Sequence, residues 1–361
     1  MYIHQQENWP TFTWNAAIIS PILGAVRHQQ GKILGQMQAL GFQIQEETML
    51  KALTMDVLKS NEIEGELLNP EQVRSSIARR LGIEIAGAIP AERHVEGIVE
   101  MMLDATQNYA IPLTDERLFA WHAALFPTGR SGMYKIKIAA WRDGIMQVTS
   151  GPMGKETVHF EAPNAPRVPK EMAIFLHWML KEQEIDPVIK AALAHLWFVT
   201  IYPFDDGNGR IARAITDMLL ARADKSTQRF YSMSAQIQNE RNTYYNILES
   251  TQKGGLDITD WLTWFLDCLK RSMKQTDKTI AKTIARAQFW ENQKETVFNV
   301  RQQKIVQLLL DDFFGNPNVS KYAKINKTST DTALRDLKDL VKKDILEQQG
   351  AGRSTSYRLK N

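Results

Sequence analysis

A single cysteine, Cys268, in 361 residues rules out an internal disulfide and fits a reducing compartment. Long apolar runs are missing too. No stretch approaches the ~20 residues that span a bilayer, so no membrane contact is expected. Residues 1–14 lack the basic segment and apolar run of a secretory signal, and a cytoplasmic location is the expectation. Neither sign of charge dominates: 44 Lys and Arg face 41 Asp and Glu. The resulting net charge of +3 is too small to imply a polyanionic partner along the whole chain. Metal-ligand spacing is absent around His122, which fits a packed, hydrogen-bonded core histidine. What is present is an ordinary globular composition, 43% hydrophobic and 24% charged, long enough for two or three cores.

Helical periodicity fills most of the chain. After an aromatic arm (Trp9, Phe12, Trp14), residues 15–59 carry apolar residues three and four apart, with Ile33, Met37, Leu50, Leu53 and Val57 facing a core. Further helices are predicted over 73–81, 94–102, 115–125 and 168–182, and from Pro187 onward. Others are predicted over 239–253, 257–273, 275–294 and 305–313. β-like alternation is confined to 132–163 (134–138, 146–148, 158–160) and to the two segments flanking Gly350-Ala351-Gly352. The fold class is therefore mainly α.

One stretch carries chemistry: His195-Leu-Trp-Phe-Val-Thr-Ile-Tyr202-Pro203-Phe204-Asp205-Asp206-Gly207-Asn208-Gly209-Arg210-Ile-Ala-Arg213. An apolar helix delivers Tyr202 and Pro203 into a tight loop, in which Gly207, Asn208 and Gly209 give access to φ > 0. A second helix is predicted to start at about Asn208, so free N–H groups and the positive dipole end face the loop, an arrangement that binds phosphates. Arg210 and Arg213, three apart, share one face and reach the same phosphate chain. Asp206 offers a carboxylate to a divalent cation bridging phosphates. His195, two turns before Tyr202, lies about 10 Å back along its helix and is expected to be buried rather than reactive.

These residues resemble the Fic family, whose signature reads His-Pro-Phe-x-Asp/Glu-Gly-Asn-Gly-Arg-x-x-Arg; every position matches except the first, here Tyr202. The resemblance implies a Fic-type helical core with one β-hairpin flap and a small C-terminal winged helix-turn-helix. It also implies a protein adenylyltransferase, which moves AMP from ATP, with Mg²⁺, onto a hydroxyl of a protein. Gly207, Asn208 and Gly209 would then cradle the α- and β-phosphates, Arg210 and Arg213 would take the outer phosphates, and Asp206 would hold the ion. Tyr245 would lie against the adenine. Val158, His159, Phe160 and Glu161 would dock the target segment by strand addition. Ser60-x-x-x-Glu64-Gly65 matches the family's inhibitory motif, in which the glutamate pairs with the second arginine, here Arg213; locally it reads equally as a capped helix end.

Tyr202 stands where the family has its general-base histidine, and a phenol, with an ordinary pKa near 10, keeps its proton at pH 7. The expectation is a self-inhibited, impaired transferase. Alternatives are a nucleotide-sensing, DNA-binding regulator and an enzyme removing AMP, with Glu64 activating water. Expected partners are a protein substrate, the chain itself included, and DNA through the tail; a homodimer stays open. In the tail, twelve Lys/Arg face seven Asp/Glu from residue 301 onward, although Asp331, Asp336 and Asp339 on its recognition helix would repel phosphates. The domain division expected is 1–100 (helical region with the inhibitory helix), 101–275 (Fic core), 276–300 (connecting helix) and 301–361 (winged helix).

Overall fold

The structure, a computed structural model, describes residues 1–151, 155, 157–181, 184–310, 317–350 and 355–360. Glu182, the helix end at Phe313, the Gly315–Asn316 turn and the hairpin tip at Ala351 and Gly352 lie outside them. The chain forms two compact units, Met1–Asp277 and Lys278–Asn361.

In the first unit, the helical pattern predicted over 15–59 is two helices. α1 (Ala16–Gln38) starts at Asn15, whose side chain accepts from the Ala17 N–H. α2 (Phe42–Ile63) restarts after Gly41, which is extended and caps it without a side chain. Periodicity alone runs through that glycine, so the break goes unseen. α3 (Pro70–Leu81) has Asn69 as cap and Pro70 at its first position, and ends at Gly82 in the left-handed region. α4 (Arg93–Gln107) and α5 (Asp115–Leu125) approach so closely at Gly97 that a Cβ there would lie 2.0 Å from the Ala124 carbonyl oxygen.

Two hairpins follow. β1 (Arg130–Ser131) pairs with β2 (Tyr134–Lys135), and β3 (Gln147–Ser150) with β4 (Thr157–Glu161), both antiparallel. The strand predicted over 134–138 stops at Lys135: the Ile136 N–H still returns to the Gly129 carbonyl, but the N–H groups of Lys137 and Ala139 go elsewhere. Lys137 donates to Asp205 at 2.8 Å, and Ala139, at φ 52°, donates to His122. From Lys137 on, the alternating pattern serves the loop around Asp205 and the His122 ring, not a ladder.

Next come α6 (Val168–Leu180), α7 (Pro187–Ile201) and α8 (Asn208–Asp224). They are followed by α9 (Met233–Asn239), α10 (Arg241–Gln252) and α11 (Thr259–Asn292). α7 is buried all round from Val188 to Ile201 apart from Lys190, and packs on α8 at the centre of the unit. The aromatic arm closes over it: Trp9 and Phe12 meet Trp197 edge-on, and the Trp9 indole donates to Glu171. α11 joins the helices predicted over 257–273 and 275–294, since no Gly or Pro interrupts them.

The second unit holds α12 (Val300–Leu310), α13 (Val319–Asn326), α14 (Thr330–Lys342, capped by Ser329) and a hairpin of β5 (Leu346–Gln349) with β6 (Ser356–Leu359). Its core contains Ile305, Tyr322, Leu337, Leu340 and Tyr357. Asp336 does not face outward as the sequence reading had it. It is 4% exposed and accepts hydrogen bonds from Arg301, Tyr322 and Asn299. Among the described residues no helix is long and apolar enough to cross a membrane.

Because the Gly97 contact is with backbone, Gly97→Ala should lower stability by about 1–3 kcal/mol through overpacking. A urea midpoint unchanged from that of the parent would show that α4 and α5 separate without cost.

Candidate active site

α7 ends at Tyr202, which adopts φ 53° and ψ 61°, a left-handed conformation uncommon for a bulky residue. Arg142 makes this possible. Only 3% exposed, it donates from Nε to the Tyr202 carbonyl (2.7 Å) and from its terminal nitrogens to the carbonyls of Gly144, Pro163 and Ile201. The last carbonyls of α7 thus receive a cation where the helix dipole is negative. Asn208 staples the loop from the other side: its Oδ1 accepts from the Phe204 N–H and its Nδ2 donates to the Phe204 carbonyl. That side chain is therefore committed to the loop and leaves only its backbone N–H for a ligand.

Only Gly207 of the three residues 207–209 has positive φ (82°); the other left-handed residue of the loop is Tyr202 itself. Gly209 is helical and serves a different need, because a Cβ there would fall 2.2 Å from Glu64 Oε1. Gly207's own N–H is taken by Asp206 Oδ1 at 2.6 Å. Asp206 Oδ2 accepts from the Ser131 hydroxyl and lies 3.6 Å from Arg210.

The end of α2 supplies the carboxylates. Arg213, 2% exposed, donates from Nε to Ser60 Oγ (2.9 Å) and from Nη2 to the Ser60 carbonyl (2.8 Å) and Glu64 Oε1 (2.7 Å). Gly65, at φ 85°, turns the chain so that Glu66 reaches Arg210 Nη1 at 2.8 Å. Arg213 Nη1 and Arg210 Nε stay buried without a hydrogen-bond partner among the described residues.

Of these groups, Glu64, Tyr202 and Gly209 line a cleft of 470 Å³ between the β3–β4 hairpin and α10, together with Tyr245, His159 and Phe160 among others. Tyr245 is half-buried with the Arg241 guanidinium 5.0 Å over its ring. Its neighbour Tyr244 is buried and bonded to His195 Nε2. Burial, reinforced by the charges of Glu64 and Asp206, pushes the Tyr202 phenol pKa well above its usual value. β4 is not an open edge along its length. The His4 ring bonds the Glu161 carbonyl, and Phe160 is buried against Tyr2 and His4; Val158 is 38% exposed.

His195 is buried between Thr216 and Tyr244, and His122 is stacked on Phe204 with ring centres 4.3 Å apart. Burial lowers their pKa values to about 3 and about 4. Ala139 N–H donates into His122 Nδ1, so Nε2 carries the proton and donates to the Asp206 carbonyl. Glu66 and Arg142 join the site without a sequence signal of their own. Glu66 sits one residue past the motif it extends, and Arg142 lies in an irregular segment 60 residues from the loop it clasps.

The loop, the start of α8 and the two arginines thus meet the end of α2 at one place on an α-helical scaffold. The Fic/DOC family model matches residues 112–220, and a domain of unknown function (DUF4172) matches residues 2–83. The chain carries a Fic/DOC family domain. It is 35% identical over 114 residues to Protein adenylyltransferase Fic of Drosophila mojavensis, covering 30% of this chain and 21% of that protein. To the Drosophila grimshawi protein of the same name it is 32% identical over 125 residues, 33% of this chain and 24% of that one. The chain thus spans about a quarter or less of these curated relatives. A crystal structure of a Fic family protein from Desulfovibrio desulfuricans G20 shares the fold with a TM-score of 0.57 at 19% identity, over 97% of this chain and 98% of that one. Fic-1 (aa134–508) from C. elegans does so at 0.51 and 16%, over 74% of each.

The two buried histidines fix a pH response. Their folded pKa values lie below the unfolded value of about 6.5, so their contribution is intact above pH 6.5 and is lost as pH falls toward 4 and 3. Urea midpoints should drop from pH 7 to pH 4, and drop less in His195→Gln. Parallel profiles for parent and variant would rule out His195 as a source.

Proposed function

We propose that this chain is a self-inhibited protein adenylyltransferase, built to move AMP from ATP to a protein hydroxyl and impaired by Tyr202. The observation that carries this reading is Arg213. It is a buried guanidinium beside the start of α8, held by Glu64, with its Nη1 lacking a hydrogen-bond partner among the described residues. Unsatisfied buried donors are costly, and a phosphate oxygen satisfies them with a charge-assisted bond. The free backbone N–H groups of Asn208 and Gly209 add to that cradle. Tyr245 is the base-side wall of the cleft, and the β3–β4 hairpin its docking edge.

Among the described residues no three His, Cys, Asp or Glu side chains could hold a metal by themselves. Asp206, 42% exposed, would hold Mg²⁺ from the protein side, where it would neutralise phosphate charge. In the reaction, the target oxygen attacks the α-phosphorus, the bond to pyrophosphate breaks, and a base takes the hydroxyl proton. Tyr202 keeps its proton and cannot be that base. Glu64 blocks Arg213 and Glu66 blocks Arg210, so both guanidiniums must be released before the outer phosphates seat.

With α-labelled ATP, the parent chain should label itself and lysate proteins poorly. Tyr202→His should raise transfer by about 10²–10⁴-fold. Adding Glu64→Gly should raise it further. If the double variant binds ATP yet labels nothing, the enzymatic reading fails.

A second reading applies to the tail and rests on α14. Its exposed face carries Arg335, Lys338 and Lys342 in register, while Asp336 is turned inward. Such a stripe suits the phosphates of duplex DNA. Affinity measured by anisotropy should fall steeply with salt, and replacing the three by Ala should flatten that slope. Salt-independent binding, or none at low salt, would sink this reading.

A further inference from the structure

The cleft contains a second constellation that neither the phosphate cradle nor the inhibitory contact uses. β3 and β4 fall out of register between Val148 and Thr149: Val148 faces Phe160, but Thr149 faces Val158. His159 is therefore the extra residue of a β-bulge, a device that re-aims a side chain. It is aimed across the hairpin and toward α10. Ser150 Oγ lies 2.6 Å from His159 Nε2, and Glu249 Oε2 lies 2.9 Å from His159 Nδ1. All three side chains line the same cleft as Tyr202, Glu64 and Gly209.

On a neutral His159 ring the carboxylate sets the polarity of this chain of bonds. Lys253 sits 2.5 Å from the other carboxylate oxygen, Oε1, and holds the Glu249 carboxyl below the usual range. An ionised carboxylate only accepts, so His159 Nδ1 must carry a proton. On a neutral ring, Nε2 is then a lone pair, and it faces the Ser150 hydroxyl, which donates to it. This is the tautomer a general base requires, oriented by a carboxylate behind it, as in serine-histidine-acid triads. The hairpin that carries it is anchored at Phe160, buried against Tyr2 and His4.

We infer that Ser150 is an acceptor hydroxyl of the chain's own, modified by a nucleoside triphosphate bound in the cleft, with His159 as general base and Glu249 as positioning residue. This rests on the function proposed for the cleft. In the step, Ser150 Oγ forms a bond to the α-phosphorus and the bond from that phosphorus to the bridging oxygen of pyrophosphate breaks. Pyrophosphate leaves with the bonding pair, and the hydroxyl proton passes to His159 Nε2. No other reactant is needed. The route bypasses position 202, whose phenol holds its proton, so it gives this chain a base that its motif loop lacks. A nucleotidyl group on Ser150 would also place a permanent anion at the mouth of the cleft.

The test uses the full chain carrying Glu64→Gly, incubated with α-labelled ATP and Mg²⁺, with adduct mapping by peptide mass spectrometry and ATP binding followed separately. An AMP adduct on Ser150 is expected, lost in Ser150→Ala and regained in Ser150→Thr. His159→Gln should slow its formation by about 10²–10⁴-fold. Glu249→Gln should do the same without weakening ATP binding or lowering the melting temperature. With the amide oxygen kept on Lys253, the NH₂ faces Nδ1 and donates to it, which leaves the proton on Nε2 facing Ser150. A merely structural latch would tolerate that exchange. Label on other residues with Ser150 unmodified would overturn the inference, as would Ser150 labelling indifferent to His159→Gln. Bound ATP with no adduct anywhere also overturns it, while transfer to lysate proteins by the chain carrying Tyr202→His and Glu64→Gly would leave the proposed function standing. Failure of that variant to bind ATP removes both.

Discussion

A guanidinium with almost no access to water governs this structure. Among the described residues Arg213 makes three hydrogen bonds, all to the C-terminal end of α2: two to Ser60 and one to Glu64. Removing a partner from such a buried cation leaves uncompensated charge, which is far more costly than an exposed pair is worth. α2 is therefore held against α8 by a buried, charged contact. The residues matched by the DUF4172 model and those matched by the Fic/DOC model meet at this point, within one compact unit.

Around that contact the loop after α7 is over-determined. Arg142 gathers the closing carbonyls, Asn208 ties Phe204 on both sides, and His122 holds the Asp206 carbonyl from beneath. Such bracing is what keeps a tyrosine in a left-handed backbone conformation, whose cost is of order 1–3 kcal/mol. It also bears on the short β2 strand, because past Ile136, whose N–H still returns to Gly129, the Lys137 N–H is given to Asp205 of this loop.

Much of this was legible in the sequence, and the limits have physical reasons. The start of α8 at Asn208 could be read because a glycine pair followed by arginines at helical spacing has few other solutions. α7 could be read because a run apolar on every face must lie at a centre. The pairing of Glu64 with Arg213 could be anticipated only through the family resemblance, since Ser-x-x-x-Glu-Gly describes any helix end. Glu66, Arg142 and the His159 bulge could not be read. Each depends on a meeting of segments 60 to 144 residues apart, or on a slip of register, and neither leaves a trace in local periodicity. The reason for Gly209 was misread for the same cause: the missing methyl makes room for a distant carboxylate instead of an unusual φ.

That missing methyl has a thermodynamic consequence. Glu64 can be regarded as a ligand covalently tethered to its own receptor, seated against the backbone where an anion would approach. Its occupancy is set by an effective concentration fixed by the fold, independent of how much protein is present. A nucleotide competing for Arg213 replaces a contact already counted in the folding free energy and does not add one. A triphosphate that competes for Arg213 should therefore bind more weakly than its own contacts imply, because part of its binding energy is spent evicting an occupant that came with the polypeptide.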